Sequence, residues 1–468
     1  MSETHTEPSG DTICTASGAL ARRQAGILLH PTSLPSGRLD RDVDRWLDTL
    51  CAAGMGVWQM LPMGIPDHTG SPYQSCSAFA ADPALLGDIT GLSLATLSLE
   101  AFRRREAAWL QDFARFRVLK ELFDGAAWQD WPAPYRDREG EALEHLDREQ
   151  GARIAEEIEQ QYLLERRWMA IRAECRRRGL YLFGDMPIFV ALDSAEVWSC
   201  REQFLLDDKG QPTFVAGVPP DYFSETGQRW GNPHYDWQAM QADGFRWWRA
   251  RMRRALDWFD IVRLDHFRGL VASWMIPADS PTAADGFWQA VPGDALMQAL
   301  HEEFPELPIV AEDLGVITPE VTALRKHFGL PGMAVLQFAF DAFDDNPHKP
   351  ANITPDTVVY TGTHDNNTLR GWFSELDEGA RHFVYQLLQG DPTEDIVDLV
   401  TRRTLETQAC LAVLPLQDVL GLDGDARMNT PGTAEGNWRW RFAWSQIDQG
   451  RLAWLKQQLR ATERLHDC

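Results

Sequence analysis

The sequence predicts a parallel (β/α)8 barrel, the TIM fold, with helical and loop-rich insertions, and three observations lead there. Near-continuous apolar runs recur along the chain and end in polar tips; amphipathic stretches separate most of them; and no Gly-rich dinucleotide turn follows the first run. Apolar runs without alternation belong to strands buried on both faces, and polar tips gathered at their carboxyl ends match the working face of a βα barrel. The competing fold, an open doubly wound sheet, calls for G-x-G-x-x-G after its first strand. The nearest glycines here, Gly54 and Gly56, lack a third and lead into a strand.

Taken in order, residues 1–24 are small, polar and aperiodic and read as a disordered tail. AGILLHPTSLPSG (25–37) and MGVWQMLPMGIPD (55–67) each read as a buried strand running into a Gly/Pro-rich loop. RDVDRWLDTLCAAG (41–54), between them, has helical spacing and a closing Gly, so the first unit is strand, helix, strand. Residues 83–178 change character: long charged stretches carry apolar residues at helical period, which marks a helical insertion. Strand patterns resume at 180–190, 259–267, 307–315, 333–340 and 357–365, with an aromatic, loop-rich insertion over 191–240. Seven strands are thus visible, and the eighth is expected beyond 405, around LAVLPLQDVLG (411–421). The catalytic barrel is expected to span 25–468.

Composition narrows the function. A formal net charge of −24 repels phosphate backbones and anionic membrane surfaces, so neither nucleic acid nor membrane is expected as a partner, and a neutral ligand fits better. The amino terminus lacks the basic start and apolar run of a signal peptide, and no run of about 18 apolar residues occurs; a soluble, cytoplasmic protein is expected. Seven scattered cysteines without a CxxC pair suggest neither a zinc site nor a disulfide framework, and point to a reducing compartment. No P-loop, HExxH, GxSxG or calcium-loop pattern appears, so no metal or organic cofactor is expected. Nineteen Trp is a high number, and several lie in Gly/Pro/Asn-rich stretches such as QRWGNPHYDW (228–237), where an aromatic face suits a flat, weakly polar ligand such as a sugar.

Three strand tips carry acids: Asp265 in VRLDHFRG, Glu312 in VAEDLG and Asp365 in YTGTHDNNT. Their spacings correspond to one and two βα units, so a closed barrel brings all three over its mouth. Acids at loop starts also cap helices or sit in salt bridges. Cleaving an acetal, however, needs such a set: one carboxylate kept ionised at the oxocarbenium-like centre, one carboxyl kept protonated to release the leaving oxygen. Arg263, two residues before Asp265, points to the same side and can hold that carboxylate ionised, as a nucleophile requires. Glu312 has no neighbouring cation in sequence and follows the apolar run PIVA, so burial can raise its pKa, as an acid and base requires. His364 offers a polar grip beside Asp365.

The segments GILLHPTSLPS, SPYQSCSAFA, GDMPIFVALDSAEVW, GVPPDYFSETGQRWGNPHYDW, VRLDHFRG, AEDLG and YTGTHDNNT, in that order, resemble the 4-α-glucanotransferases, the amylomaltases or disproportionating enzymes of glycoside hydrolase family 77. The resemblance runs from about residue 26 to about 440. It implies a barrel of the α-amylase clan and a retaining double displacement with Asp265 as nucleophile, Glu312 as acid and base, and Asp365 fixing the transition-state sugar. It further implies Tyr73, Asp185, Arg263 and His364 around the cleaved sugar, and a covering loop over 217–237 that includes Tyr222, Phe223, Gln228 and Trp230. Maltooligosaccharides and α-1,4-glucans are the implied donors and acceptors, with glucose as a further acceptor. An α-amylase-type hydrolase and a non-catalytic glycan-binding barrel are the alternatives.

Overall fold

The computed structural model describes residues 20–220, 224–433 and 435–468. Among them are twelve strands: β1 (Gln24–Leu28), β2 (Val57–Gln59), β3 (Tyr181–Met186), β4 (Phe214–Val218), β5 (Gln228–Pro233), β6 (Ile261–Leu264), β7 (Ala272–Pro277), β8 (Phe287–Ala290), β9 (Ile309–Ala311), β10 (Gly332–Val335), β11 (Thr357–Tyr360) and β12 (Leu411–Pro415). Eight of them form one parallel sheet in the order β10-β11-β12-β1-β2-β3-β6-β9. The Ala311 amide donates to the Pro331 carbonyl at 2.9 Å, which brings β9 beside β10 and nearly closes the cylinder. At that seam Gly332 lies so close to the Asp313 carboxylate that a β-carbon would stand 2.4 Å from Oδ2. The seven apolar runs and the expected eighth each supply one barrel strand, the eighth as Leu411–Pro415.

Strand burial follows the composition. β1, β2, β6, β9, β10 and β12 are buried at every position, as strands need to be when side chains fill the barrel on one face and meet helices on the other. The helix Arg41–Ala53 presses Val43, Trp46, Leu47 and Leu50 inward, and Gly54 ends it at φ +76°, where its amide reaches the Leu50 and Cys51 carbonyls. Helices occupy much of residues 99–177, the longest being Gly151–Arg177. Among the described residues no helix is long and apolar enough to cross a membrane.

Two features depart from the sequence reading. The segment after Asp265 and the segment 214–233 build a second, antiparallel sheet, β5-β4-β7-β8; QRWGNP is rich in turn-forming residues and β8 is exposed throughout, so neither carries the apolar signature of a strand. The cysteine spacing points to no disulfide framework, yet Cys51 and Cys468 are joined in a disulfide across 417 positions of sequence, a separation over which spacing carries no signal. Of the expected polar tail, residues 1–19 lie outside the described residues; Leu20 is buried and Gln24 already opens β1.

Candidate active site

The mouth is organised by Arg263. In the parallel pair β3/β6, Asp185 stands opposite Arg263, so both side chains share the inner face. The guanidinium Nη1 donates to both oxygens of Asp185, at 2.9 and 2.8 Å, while Nη2 lies 2.8 Å from Asp265 Oδ1. Two carboxylates and one buried cation thus form a fixed chain. Burial works against the charge on Arg263, but Asp185 and Asp265 outweigh it and hold its pKa well above the usual range. Tyr73 closes the other end, its hydroxyl donating to Asp185 Oδ2 at 2.7 Å; burial and that neighbouring carboxylate keep the phenol protonated.

Glu312 lies in a different environment. It leaves β9 with its oxygens facing the turn after β6, where Oε2 accepts from the His266 amide at 2.7 Å; Oε1 accepts from the Leu314 amide at 3.1 Å. His266 adopts the left-handed region, φ +51°, an uncommon conformation for a non-glycine residue, and this conformation belongs to the turn that presents its amide to Glu312. Burial raises Glu312 to about 7, with Arg263 and the two amides pulling down and Asp265 pushing up. The sequence shows no cation beside Glu312; in space the field of Arg263 does reach it, but desolvation dominates.

Asp365 follows β11. His364 Nε2 lies 3.4 Å from its Oδ1, and the His364 ring stacks on Tyr73 with centroids 5.2 Å apart. Sequence reasoning passed over several residues around it. Asn429 donates to Asp365 Oδ1 at 2.6 Å, Arg427 donates to the Asp365 carbonyl at 2.6 Å, and Trp438, itself at φ +64°, packs near both Tyr73 and His364. These come from the loop after β12, whose polar composition carries no periodic signal. Beneath, buried Asp418 accepts from Thr361 and from the Leu369 amide, both at 2.7 Å, and so fixes the two ends of the segment that carries Asp365.

On the far side, Trp230 sits edge-on to His266 at 4.9 Å, and its indole N–H donates to Gln228 at 3.1 Å. The other two aromatics expected in the covering loop, Tyr222 and Phe223, lie outside the described residues. The remaining candidates converge: Asp265, Glu312, Asp185 and Tyr73 are tied directly or through Arg263, and Asp365 joins through His364 stacked on Tyr73. Among the described residues no group of His, Cys, Asp and Glu is arranged to hold a metal.

A parallel barrel with one carboxyl paired to a buried guanidinium and a second lifted by burial to about 7 at its mouth defines a carbohydrate-active enzyme of the glycosidic-bond class. A family model described as 4-alpha-glucanotransferase matches residues 28–96 and 90–447, and the chain belongs to that family, Glyco_hydro_77. It is 44% identical to a 4-alpha-glucanotransferase of Thermus thermophilus over 95% of this chain and 99% of that one. It is 41% identical to the enzyme of that name from Synechocystis, over 94% and 97% of the two chains. An amylomaltase from Streptococcus agalactiae, solved in complex with acarbose, superposes with a TM-score of 0.90 at 32% identity, covering 95% of this chain and all of that one.

Proposed function

We propose that Asp265, Glu312 and Asp365 carry the transfer of a 4-α-glucan segment from one α-1,4-glucan to the 4-hydroxyl of another glucan or of glucose. The observation that carries the assignment is the split between two carboxyls at the mouth: Asp265 is paired with Arg263 at 2.8 Å, whereas burial lifts Glu312 to about 7. The first suits a nucleophile, the second a group that must give and take a proton near neutrality.

In the first half-reaction Asp265 attacks the anomeric carbon as its bond to the leaving 4-oxygen breaks, and Glu312 gives its proton to that oxygen. The glucosyl group is then an ester of Asp265. In the second, the Glu312 carboxylate takes the proton of an incoming 4-hydroxyl, whose oxygen attacks the same carbon and releases Asp265. Two inversions give net retention. Asp365, held by Asn429 and beside His364, is placed to accept hydrogen bonds from sugar hydroxyls. Tyr73, Asp185 and Arg263 line the same sugar. Gln228 and Trp230 belong to the cover that favours a stacked acceptor over water, and the helical segment 83–178 shapes the groove. Maltooligosaccharides serve as donors and acceptors, and the cytoplasm is the proposed location.

Incubation with maltotriose tests the reading. Glucose together with products longer than maltotriose is expected; a steady gain in reducing ends with nothing longer overturns transfer in favour of hydrolysis.

A further inference from the structure

The edge strand β8 holds a large aromatic side chain at the surface that the catalytic cleft does not use. Trp288 is 39% exposed, and it is held firmly in place. Its ring meets Trp274 of β7 at 5.1 Å and 64°, and the Trp274 indole is itself fixed by donation to the Ala283 carbonyl at 2.9 Å. The Arg268 guanidinium lies over the Trp288 ring, 3.8 Å from its centre, and also donates to the Val316 carbonyl. Arg268 stands three residues after Asp265, and Val316, 75% exposed, stands four after Glu312. One arginine therefore links an exposed indole to both loops that carry the reacting carboxyls.

We propose that Trp288, with Val316 beside it, is a stacking surface for an α-1,4-glucan chain outside the catalytic cleft, engaged only by substrates too long for the cleft itself. The proposal rests on the glucan reading above. A polymer bound at Asp265 and Glu312 must leave the mouth over the surrounding loops, and this surface continues from the β6 and β9 loops. A pyranose presents a flat C–H face that suits an indole already held in place, so little side-chain entropy is lost on binding. The strongly acidic chain does not suit an anionic polymer there.

Phe287 supplies an internal control: it precedes Trp288 on the same strand, so it points to the opposite face, and it is 45% exposed. Steady-state transfer by the full chain would be measured with maltotriose and with amylose for the parent, W288A, W288Y and F287A. We expect W288A to raise KM for amylose by about threefold to tenfold, with kcat and KM for maltotriose within about twofold of the parent. W288Y, which keeps an aromatic face, should restore most of the amylose KM, and F287A should change neither. An unchanged amylose KM in W288A, an equal rise for maltotriose, or the effect appearing in F287A instead overturns the proposal. So does a parent that self-associates in sedimentation while W288A does not, which makes the surface a contact between copies. Failure of the parent to lengthen maltotriose is a separate result and strikes the glucan reading.

Discussion

Two buried arginines sit at opposite ends of the barrel, and their partners differ. Arg263, at the mouth, is surrounded by carboxylates, those of Asp185 and Asp265. Arg464, at the base, donates to four neutral carbonyls: Leu405 at 2.8 Å, Gln24 at 2.9 Å, and Thr407 and Ala409 at 2.8 Å each. Gln24 opens β1 and Ala409 precedes β12, so Arg464 pins the seam between first and last barrel strands. Burial, with Arg23 nearby, lowers its pKa to about 9, whereas at Arg263 the neighbouring carboxylates overcome burial and push the other way. The same side chain thus supplies hydrogen-bond geometry at one end and compensating charge at the other. Substitutions should separate accordingly, into loss of folding at the base and loss of chemistry at the mouth.

The largest effect is expected from Asp265→Asn or Glu312→Gln, which should lower kcat by about 10³-fold or more with the melting temperature nearly unchanged; turnover near the parent's in either variant would remove that residue from the mechanism. Arg464→Met should be the mirror image, costing about 3 kcal/mol of stability in denaturant titration while kcat of the folded fraction is retained. A fall in kcat per folded molecule would break the contrast between the two ends. Next comes pH. Glu312 must be protonated to act as an acid, so kcat/KM should decline as pH rises through about 7, by about tenfold per unit well above it. A pH profile flat from about 6 to about 9 would contradict its role. Tyr73→Phe, which deletes the hydrogen bond to Asp185, should cost about tenfold in kcat/KM and leave stability less affected. Smallest of all, reducing the Cys51–Cys468 bridge should leave kcat unaltered, because Arg464 and the contact of the His466 amide with the Gly54 carbonyl at 2.9 Å hold the base without it.

What could be read from the sequence follows from how each feature is encoded. The barrel strands are legible because burial on both faces writes an unbroken apolar run, and the three acids because each ends such a run. The pairing of Arg263 with Asp265 is local, two residues along one strand, and is visible in the same way. Arg263 with Asp185 is a register contact between strands, which no local pattern reveals; only the family resemblance drew Asp185 in. Asn429, Arg427 and Trp438 reach the site from an irregular loop, and Arg464 reaches the base from the segment after the helix Gln449–Ala461. The strand β8 escaped notice because an exposed edge strand has no need of an apolar pattern.

The Cys51–Cys468 bridge has one more consequence. When it is closed, everything between those two positions is a covalent loop. A protease that cuts any surface segment inside that loop linearises it without releasing a fragment. Such nicked molecules should migrate as one species on a denaturing gel and fall into two pieces only when a reductant is added.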